Sequence, residues 1–246
     1  MFSIFILFLV IFILAYIKIR YPFWNLQPVY HSYDFWNLFI SKPYIVYKFR
    51  PVKNKFCDFI NVKTKSYFDL TIKEQELFVN LIQCYHISSD KLLYIMNKEN
   101  IATYFIGQSE TPYISFYNEI TINKDNNPIG CISSRSVNII LPEKTYISYF
   151  FDYMSINREH TDVKIVRRLI QTHEYNQRIL NPKIQVSIFK KEIELYDGIV
   201  PFIKFKTGMY YLRDVQIHKL PKHFIISRMS RFSLYILEIM KCLGNL

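Results

Sequence analysis

The sequence is short of acidic residues and lacks every pattern that commonly holds a metal. Asp and Glu total 20 against 31 Lys and Arg, which gives a net charge of +11. The six histidines are scattered, and none of the cysteines forms a C-x-x-C pair or has zinc-site spacing. We therefore predict no metal. The cysteines have apolar neighbours and are read as small buried side chains in a reducing compartment: Cys57, Cys84, Cys131 and Cys242.

Signatures of nucleic-acid binding are also missing. The chain has no helix-turn-helix, zinc-finger or RNA-recognition motif, so nucleic acid is not predicted as a partner. The basic residues are spread along the chain, as on an ordinary solvated surface. An excess of this size also favours anionic lipid head groups or a phosphorylated cofactor.

The 246 residues allow one large domain or two small ones. Half of the residues are hydrophobic and 17% are aromatic, which is ample for a buried core and excludes a disordered chain. No internal repeat or low-complexity linker divides the sequence. One domain at residues 61–246 is the simplest prediction.

Residues 1–17, MFSIFILFLVIFILAYI, contain no charged side chain. This run is at the short limit of a transmembrane helix, which takes about 20 residues. A signal peptide would need a basic start and a small-x-small cleavage site, and neither is present. A buried core strand is the third alternative. Because Lys18 and Arg20 follow directly, the positive-inside rule predicts a single-pass anchor with the body of the protein in the cytosol.

The next segment, residues 18–60, has no helical period and is predicted as an extended arm with short strands. Thr71–His86 then has helical spacing, with Thr71 and Glu74 as a capping box. Ser89–Met96 is predicted as a second, short helix.

The remaining pattern predicts an α+β fold with a mixed, mostly antiparallel sheet flanked by helices. Alternating and β-branched residues indicate the strands Tyr113–Tyr117, Pro128–Leu141, Thr145–Tyr153, Lys183–Phe189 and Pro201–Phe205. Helical periodicity indicates Thr161–Glu174 and Arg231–Leu243.

Several segments, in order, resemble N-myristoyltransferases. Tyr21–Val29 reads Tyr-Pro-Phe-Trp-Asn-Leu-Gln-Pro-Val and resembles the family's Tyr-x-Phe-Trp-x-Thr-Gln-Pro-Val, with Leu26 in place of Thr. Ile129–Ser134 resembles Val-Gly-Phe-Ile-Ser-Ala, and Ile147–Asp152 falls where the family has Ile-Asn-Phe-Leu-Cys-Val. Gly208–Arg213 resembles Cys-Arg-Tyr-Trp-His-Arg. The resemblance covers about residues 21–213.

This family is built from two repeats of the GNAT acyltransferase fold, and the matches fall in the first. The resemblance therefore implies a single GNAT-like domain that takes myristoyl-CoA or another acyl-CoA as co-substrate. It implies acyl transfer to the amine of an N-terminal glycine, and a glycine peptide or a partner subunit as the partner. The family's base is a carboxylate of the second repeat. Here the sequence offers candidates such as Asp152 and His160 for a general base.

The resemblance also assigns site residues. It places an oxyanion hole at the backbone amides of Phe150 and Phe151 on a bulged strand, where only the backbone takes part. It places the CoA diphosphate at the loop that opens a helix, where Glu159 and Asp162 have the wrong charge for a phosphate. The residues that would hold the cofactor are Tyr21, Phe23, Trp24, Arg158, Thr161, Arg167 and Arg168.

Two other functions stay open. The alternatives to an active acyltransferase are an inactive relative that binds acyl groups and a structural membrane protein. The strong use of Ile, Asn, Lys, Tyr and Phe is typical of an AT-rich genome, which fits a large DNA virus and a place in the virion membrane.

Overall fold

A computed structural model describes residues 2–29, 31, 44–86, 88–89, 92–93, 98–119, 128–141, 144–157, 159 and 162–189. Its centre is a five-stranded sheet of order β1-β4-β5-β6-β7, and β2 and β3 form a separate short pair. The pairs are antiparallel except β6–β7, which is parallel. The predicted α+β class and mixed, mostly antiparallel sheet are thus confirmed. The strands are β1 Val62–Ser66, β2 Ser88–Ser89, β3 Leu92–Leu93, β4 Tyr113–Tyr117, β5 Gly130–Leu141, β6 Lys144–Ile156 and β7 Val186–Phe189.

Helices cover both faces of the sheet. The described helices are α1 Phe2–Arg20, α2 Ile72–Tyr85, α3 Lys98–Ile106 and α4 Val163–Leu180, of which α2, α3 and α4 pack on the sheet. On one face α4 buries Leu169 and Ile170 against the sheet residues Tyr149 and Phe151. On the other face Phe78 of α2 packs against the rings of α3, β4 and β6, namely Phe105, Phe116 and Tyr153. The core therefore has two layers, separated by the sheet.

The predicted capping box at the start of α2 is confirmed. The Thr71 hydroxyl accepts a hydrogen bond from the Glu74 amide at 3.3 Å, and the Glu74 carboxylate accepts one from the Thr71 amide at 2.9 Å. Two amides that the helix cannot pair internally are thereby satisfied, an arrangement that stabilises a helix by about 1 kcal/mol.

Other local predictions were wrong or incomplete. The helix predicted at Ser89–Met96 does not form, because Ser89 lies in β2 and Leu92–Leu93 is β3. A short apolar run in a sequence fits a strand or a helix equally well, and here the pairing of β2 with β3 makes this segment a strand pair. β1 and α3 were not predicted, and α4 continues to Leu180, past the predicted end. Predicted elements at Pro201–Phe205 and Arg231–Leu243 lie outside the described residues, so the limits of the 61–246 domain stay a prediction.

The N-terminal segment forms α1, a 19-residue helix with Lys18 and Arg20 in its last turn. Within the part of the chain that the structure describes, no helix combines the length and the hydropathy that a membrane crossing takes. The transmembrane helix predicted for residues 1–17 is therefore not borne out. The uncharged run ends before Lys18, and a crossing takes about 20 apolar residues.

Candidate functional site

The strands β6 and β7 form a parallel pair that is joined by α4. β7 pairs with β6 only from Ser148 to Phe151. β6 continues to Ile156 along its other neighbour, β5. Among the described strands, none therefore pairs with residues 152–156 on the β7 side. An extended ligand could bind there through backbone groups, as an added strand does.

A β-bulge lies in this one-sided stretch of β6. The register between β5 and β6 shifts between Cys131 and Ser133. Two residues, Tyr153 and Met154, consequently stand opposite Ile132 alone. Tyr153 has φ 50°, in the left-handed region that non-glycine residues seldom adopt. Such backbone geometry costs of order 1–3 kcal/mol and concentrates at functional sites.

Side chains from the α2–α3 layer hold the bulge in place. The Tyr153 ring is buried and makes edge contacts with Phe78 and Tyr104, at centroid distances of 6.4 and 5.2 Å. The Asp152 carboxylate accepts a hydrogen bond from the Tyr153 amide at 2.9 Å and another from the Tyr104 hydroxyl at 2.7 Å. Burial, followed by the Asp152 charge, raises the pKa of Tyr104, so this hydroxyl keeps its proton and stays a donor.

The two predicted oxyanion residues lie just before the bulge. Phe150 pairs with Arg135 on one side and Ile188 on the other, and Phe151 likewise has a neighbour on each side. The predicted bulge at Phe150–Phe151 is therefore corrected to Tyr153–Met154. Register irregularities depend on cross-strand pairing, which a single strand sequence does not reveal. The catalytic role of the Phe150 and Phe151 amides stays a prediction.

The aromatic motif near the N-terminus lies against the end of β7. Phe23 is fully buried, and its ring packs on Trp24 at 5.0 Å. Trp24 is 6.4 Å from the Phe189 ring, which in turn is 6.1 Å from Phe151. The structure thus brings Phe23 and Trp24 of the motif to the β6–β7 pair, with Phe23 as a buried side chain of the core.

The same segment is tied to α4. The Gln27 side-chain amide donates to the side-chain oxygen Oε1 of Gln171 at 2.5 Å, so the motif is fixed on the helix that follows β6. Tyr21 is half-buried, and the Arg20 guanidinium lies 6.0 Å from its ring centroid. The cofactor contacts predicted for the motif side chains stay predictions.

The start of α4 is occupied by an acid. Asp162 is the N-cap, and its carboxylate accepts the Lys164 amide at 2.8 Å. A phosphate at this helix start would compete with that carboxylate for the same amides. Arg158 and Thr161, predicted for the diphosphate, lie outside the described residues, as does His160.

The two arginines farther along α4 differ. Arg167 is half-buried. Arg168 forms an ion pair with Asp58, 3.2 Å away. Burial pushes the pKa of Asp58 upward, but hydrogen bonds from Asn61 and the charge of Arg168 bring it below its ordinary value. Because Asp58 stays ionised, part of the Arg168 charge is already neutralised.

A buried polar network that the sequence did not reveal lies under α4. His173 and Ser115 are fully buried, with Nδ1 and Oγ 2.7 Å apart. Ser115 Oγ is 2.6 Å from the Thr64 hydroxyl, which accepts from the Asn176 side chain at 2.8 Å. Burial lowers the pKa of His173 to about 3, so the imidazole is neutral. A Ser–His pair can perform nucleophilic catalysis, but full burial makes this one a structural element.

Metal chemistry gets no support from the described residues. Within them, no group of three or more His, Cys, Asp or Glu side chains could hold an ion.

Comparison with known proteins supports the fold assignment. No family model matches the sequence. The search of curated proteins also gave no match. Solved structures of Saccharomyces cerevisiae N-myristoyltransferase do match. One with myristoyl-CoA and inhibitors bound has a TM-score of 0.54 at 15% identity, and covers 74% of this chain and 42% of that one. Another, with bound myristoyl-CoA, has a TM-score of 0.50 at 14% identity, and covers 71% and 41%.

The described chain therefore shares its fold with these N-myristoyltransferase structures, as its motifs predicted. It spans about two fifths of the length of the enzymes it matches. At this level of identity the likeness concerns the fold alone.

Proposed function

We propose that the chain binds a long-chain acyl-CoA along the one-sided stretch of β6 and acts as an acyltransferase-like protein. The observation that carries this proposal is the combination at one place of a short β7, a stretch of β6 at residues 152–156 with no described strand on the β7 side, and a bulge at Tyr153. The yeast structures with the same fold are described as holding myristoyl-CoA.

The cofactor's amide-containing arm would pair with the β6 backbone in the way that an added strand does. The thioester would then lie at the bulge, and the diphosphate near the start of α4, where amides and the helix dipole favour an anion. The acyl chain would lie among the aromatic rings at the end of β7, where Trp24, Phe151 and Phe189 converge.

Catalysis on this arrangement would join the acyl group to an amine, with the N-terminal glycine of a peptide as the proposed acceptor. The amine nitrogen attacks the thioester carbonyl carbon, and the resulting oxyanion is stabilised by backbone amides of β6. The C–S bond then breaks, the amide forms, and CoA leaves as a thiol with the proton that the amine gives up.

Binding without transfer is the second candidate, and two observations favour it. Asp162 already caps α4, and Arg168 is paired with Asp58. Both weaken the attraction of this region for a diphosphate. Such a protein would hold an acyl-CoA or an acyl chain and release no product.

A photoreactive acyl-CoA tests the proposed site on the full chain. We expect crosslinks in residues 152–156 and around Trp24 and Phe189. We also expect Trp24→Ala to weaken myristoyl-CoA binding about tenfold, through the loss of apolar contact. Phe68→Ala is the matched control, because that ring is exposed at 59% and lies elsewhere. Crosslinks confined to other segments would remove the β6 site from the proposal.

Transfer is tested separately. The full chain is incubated with labelled myristoyl-CoA and a glycine-initiated peptide, and the acylated peptide is measured. Product formation assigns the first candidate. Saturable binding with no product assigns the second.

A further inference from the structure

A basic segment outside the proposed acyl-CoA site presents apolar side chains to solvent. This basic arm, residues 44–55, reads YIVYKFRPVKNK and contains four basic and no acidic residues. All four cations are exposed: Lys48, Arg50, Lys53 and Lys55. The arm therefore presents four positive charges to solvent.

Two large apolar residues lie between these cations and point away from the body of the protein. Phe49 is 75% exposed and Val52 is 72% exposed. Single exposed apolar side chains are common on protein surfaces. Here an aromatic and an aliphatic side chain lie within four residues of each other, Phe49 between Lys48 and Arg50 and Val52 next to Lys53, so the exposed surface combines apolar and positively charged groups.

The arm is fixed to the body, so this presentation is built into the fold. Arg178 of α4 is buried and donates hydrogen bonds to the backbone carbonyls of Tyr47 and Phe49, at 3.2 and 2.9 Å. The Arg178 guanidinium also lies 5.7 Å from the Tyr47 ring centroid. The Tyr47 hydroxyl donates to the carbonyl of Arg50 at 3.3 Å. A buried cation thus holds the backbone on both sides of Lys48.

We propose that the basic arm docks on the surface of an anionic lipid bilayer. The cations would lie at the head groups, and Phe49 and Val52 would enter the boundary with the acyl chains. Single-stranded nucleic acid, which is held by stacking of bases on aromatic rings, fits less well because Val52 has no ring to offer. The proposal is independent of the acyl-CoA site, since none of its residues belongs to that site.

Vesicle binding of the full chain tests this docking. Phosphatidylcholine vesicles are compared with vesicles that also contain phosphatidylserine. Each basic side chain at such a surface strengthens binding about fivefold, so replacing all four arm cations by Gln should weaken it on the order of 600-fold. The double variant Phe49→Ser, Val52→Ser should weaken it about tenfold or more.

Matched variants and thermal unfolding serve as controls. The charge control replaces four exposed lysines elsewhere by Gln: Lys73, Lys144, Lys164 and Lys183. The apolar control is Ile106→Ser, Ile140→Ser, at sites 61% and 68% exposed. All variants keep α1, so any contribution of that helix is common to them.

We expect the arm variants alone to lose the preference for phosphatidylserine vesicles, with unchanged unfolding temperatures. The same loss in the charge control would overturn the proposal, because net charge would then be the cause. Arm-dependent binding to oligonucleotides, with no preference for phosphatidylserine, would also overturn it.

Discussion

The amide of Tyr153 donates a hydrogen bond to the carboxylate of the residue before it, Asp152, over 2.9 Å. Tyr153 has φ 50°, and the β5–β6 register shifts at this position. The acid therefore satisfies an amide at a point where the regular ladder is interrupted. The same carboxylate accepts the Tyr104 hydroxyl, so it joins the bulge to α3.

Asp152→Asn is expected to destabilise the protein by about 1–2 kcal/mol, because two hydrogen bonds to a charged acceptor become bonds to a neutral amide. Denaturant unfolding measures the change. Asp69→Asn is the control, since Asp69 is exposed, and it should change the free energy of unfolding by less than about 0.5 kcal/mol. Equal effects of the two substitutions would contradict the role given to Asp152.

Phe151→Ala is expected to cost about 3–5 kcal/mol in the free energy of unfolding, as other buried aromatic truncations do. The Phe151 ring is buried against His173 and Phe189, at 5.0 and 6.1 Å. Phe68→Ala, at an exposed ring, should cost less than about 1 kcal/mol. A cost below that of Phe68→Ala would show that Phe151 is not a core residue.

Gly130→Ala is expected to destabilise by about 1–3 kcal/mol through overpacking. A methyl group at Gly130 would lie 3.1 Å from Ile156 Cγ1 and 3.2 Å from the Ser155 carbonyl oxygen, beside the bulge. Gly107→Ala is the matched control, because no atom lies within 4 Å of a methyl group there. If the two variants unfold at the same denaturant concentration, the packing described around Gly130 is wrong.

The buried His173 predicts a specific pH dependence. Its pKa is lowered to about 3 in the folded state, while the ordinary value, about 6.5, holds in the unfolded state. Between these values the unfolded state binds more protons, so stability is fully present above about pH 6.5 and falls as the pH decreases. The slope from this one residue is at most about 1.4 kcal/mol per pH unit.

His173→Gln removes that titration and should flatten the dependence of the free energy of unfolding between about pH 4 and 6.5. The measurement is denaturant unfolding at several pH values. Identical slopes for wild type and His173→Gln would mean that another group carries the acid sensitivity.

Sequence patterns within a single segment predicted one helix and two strands correctly. The α2 helix followed from the Thr71–Glu74 capping box and an apolar face, and both are present. The strands Tyr113–Tyr117 and β5 followed from β-branched and alternating residues. The aromatic motif also predicted correctly which known fold the chain resembles.

Features that depend on contacts between distant segments were not predictable in this way. The edge strand β1 carries Lys63 and Lys65 and reads as an ordinary polar segment until it pairs with β4. The bulge lies at Tyr153 rather than at Phe150–Phe151, because its position is set by pairing with β5. The contact of His173 with Ser115 joins residues far apart in sequence, and neither residue has a local signature.

Besides its apolar contacts, the inner face of α4 makes directional hydrogen bonds to three strands of the sheet. Gln177 donates to Ser187 of β7 at 2.8 Å, and Asn176 and His173 bond to β1 and β4. Apolar contacts alone would allow the helix to shift along the sheet. Hydrogen bonds to defined partners instead fix its rotation about its own axis and its position along that axis. The position of α4 over β1, β4 and β7 is therefore set when the chain folds. The start of this helix, where we place the diphosphate, would then be held in position before any ligand binds.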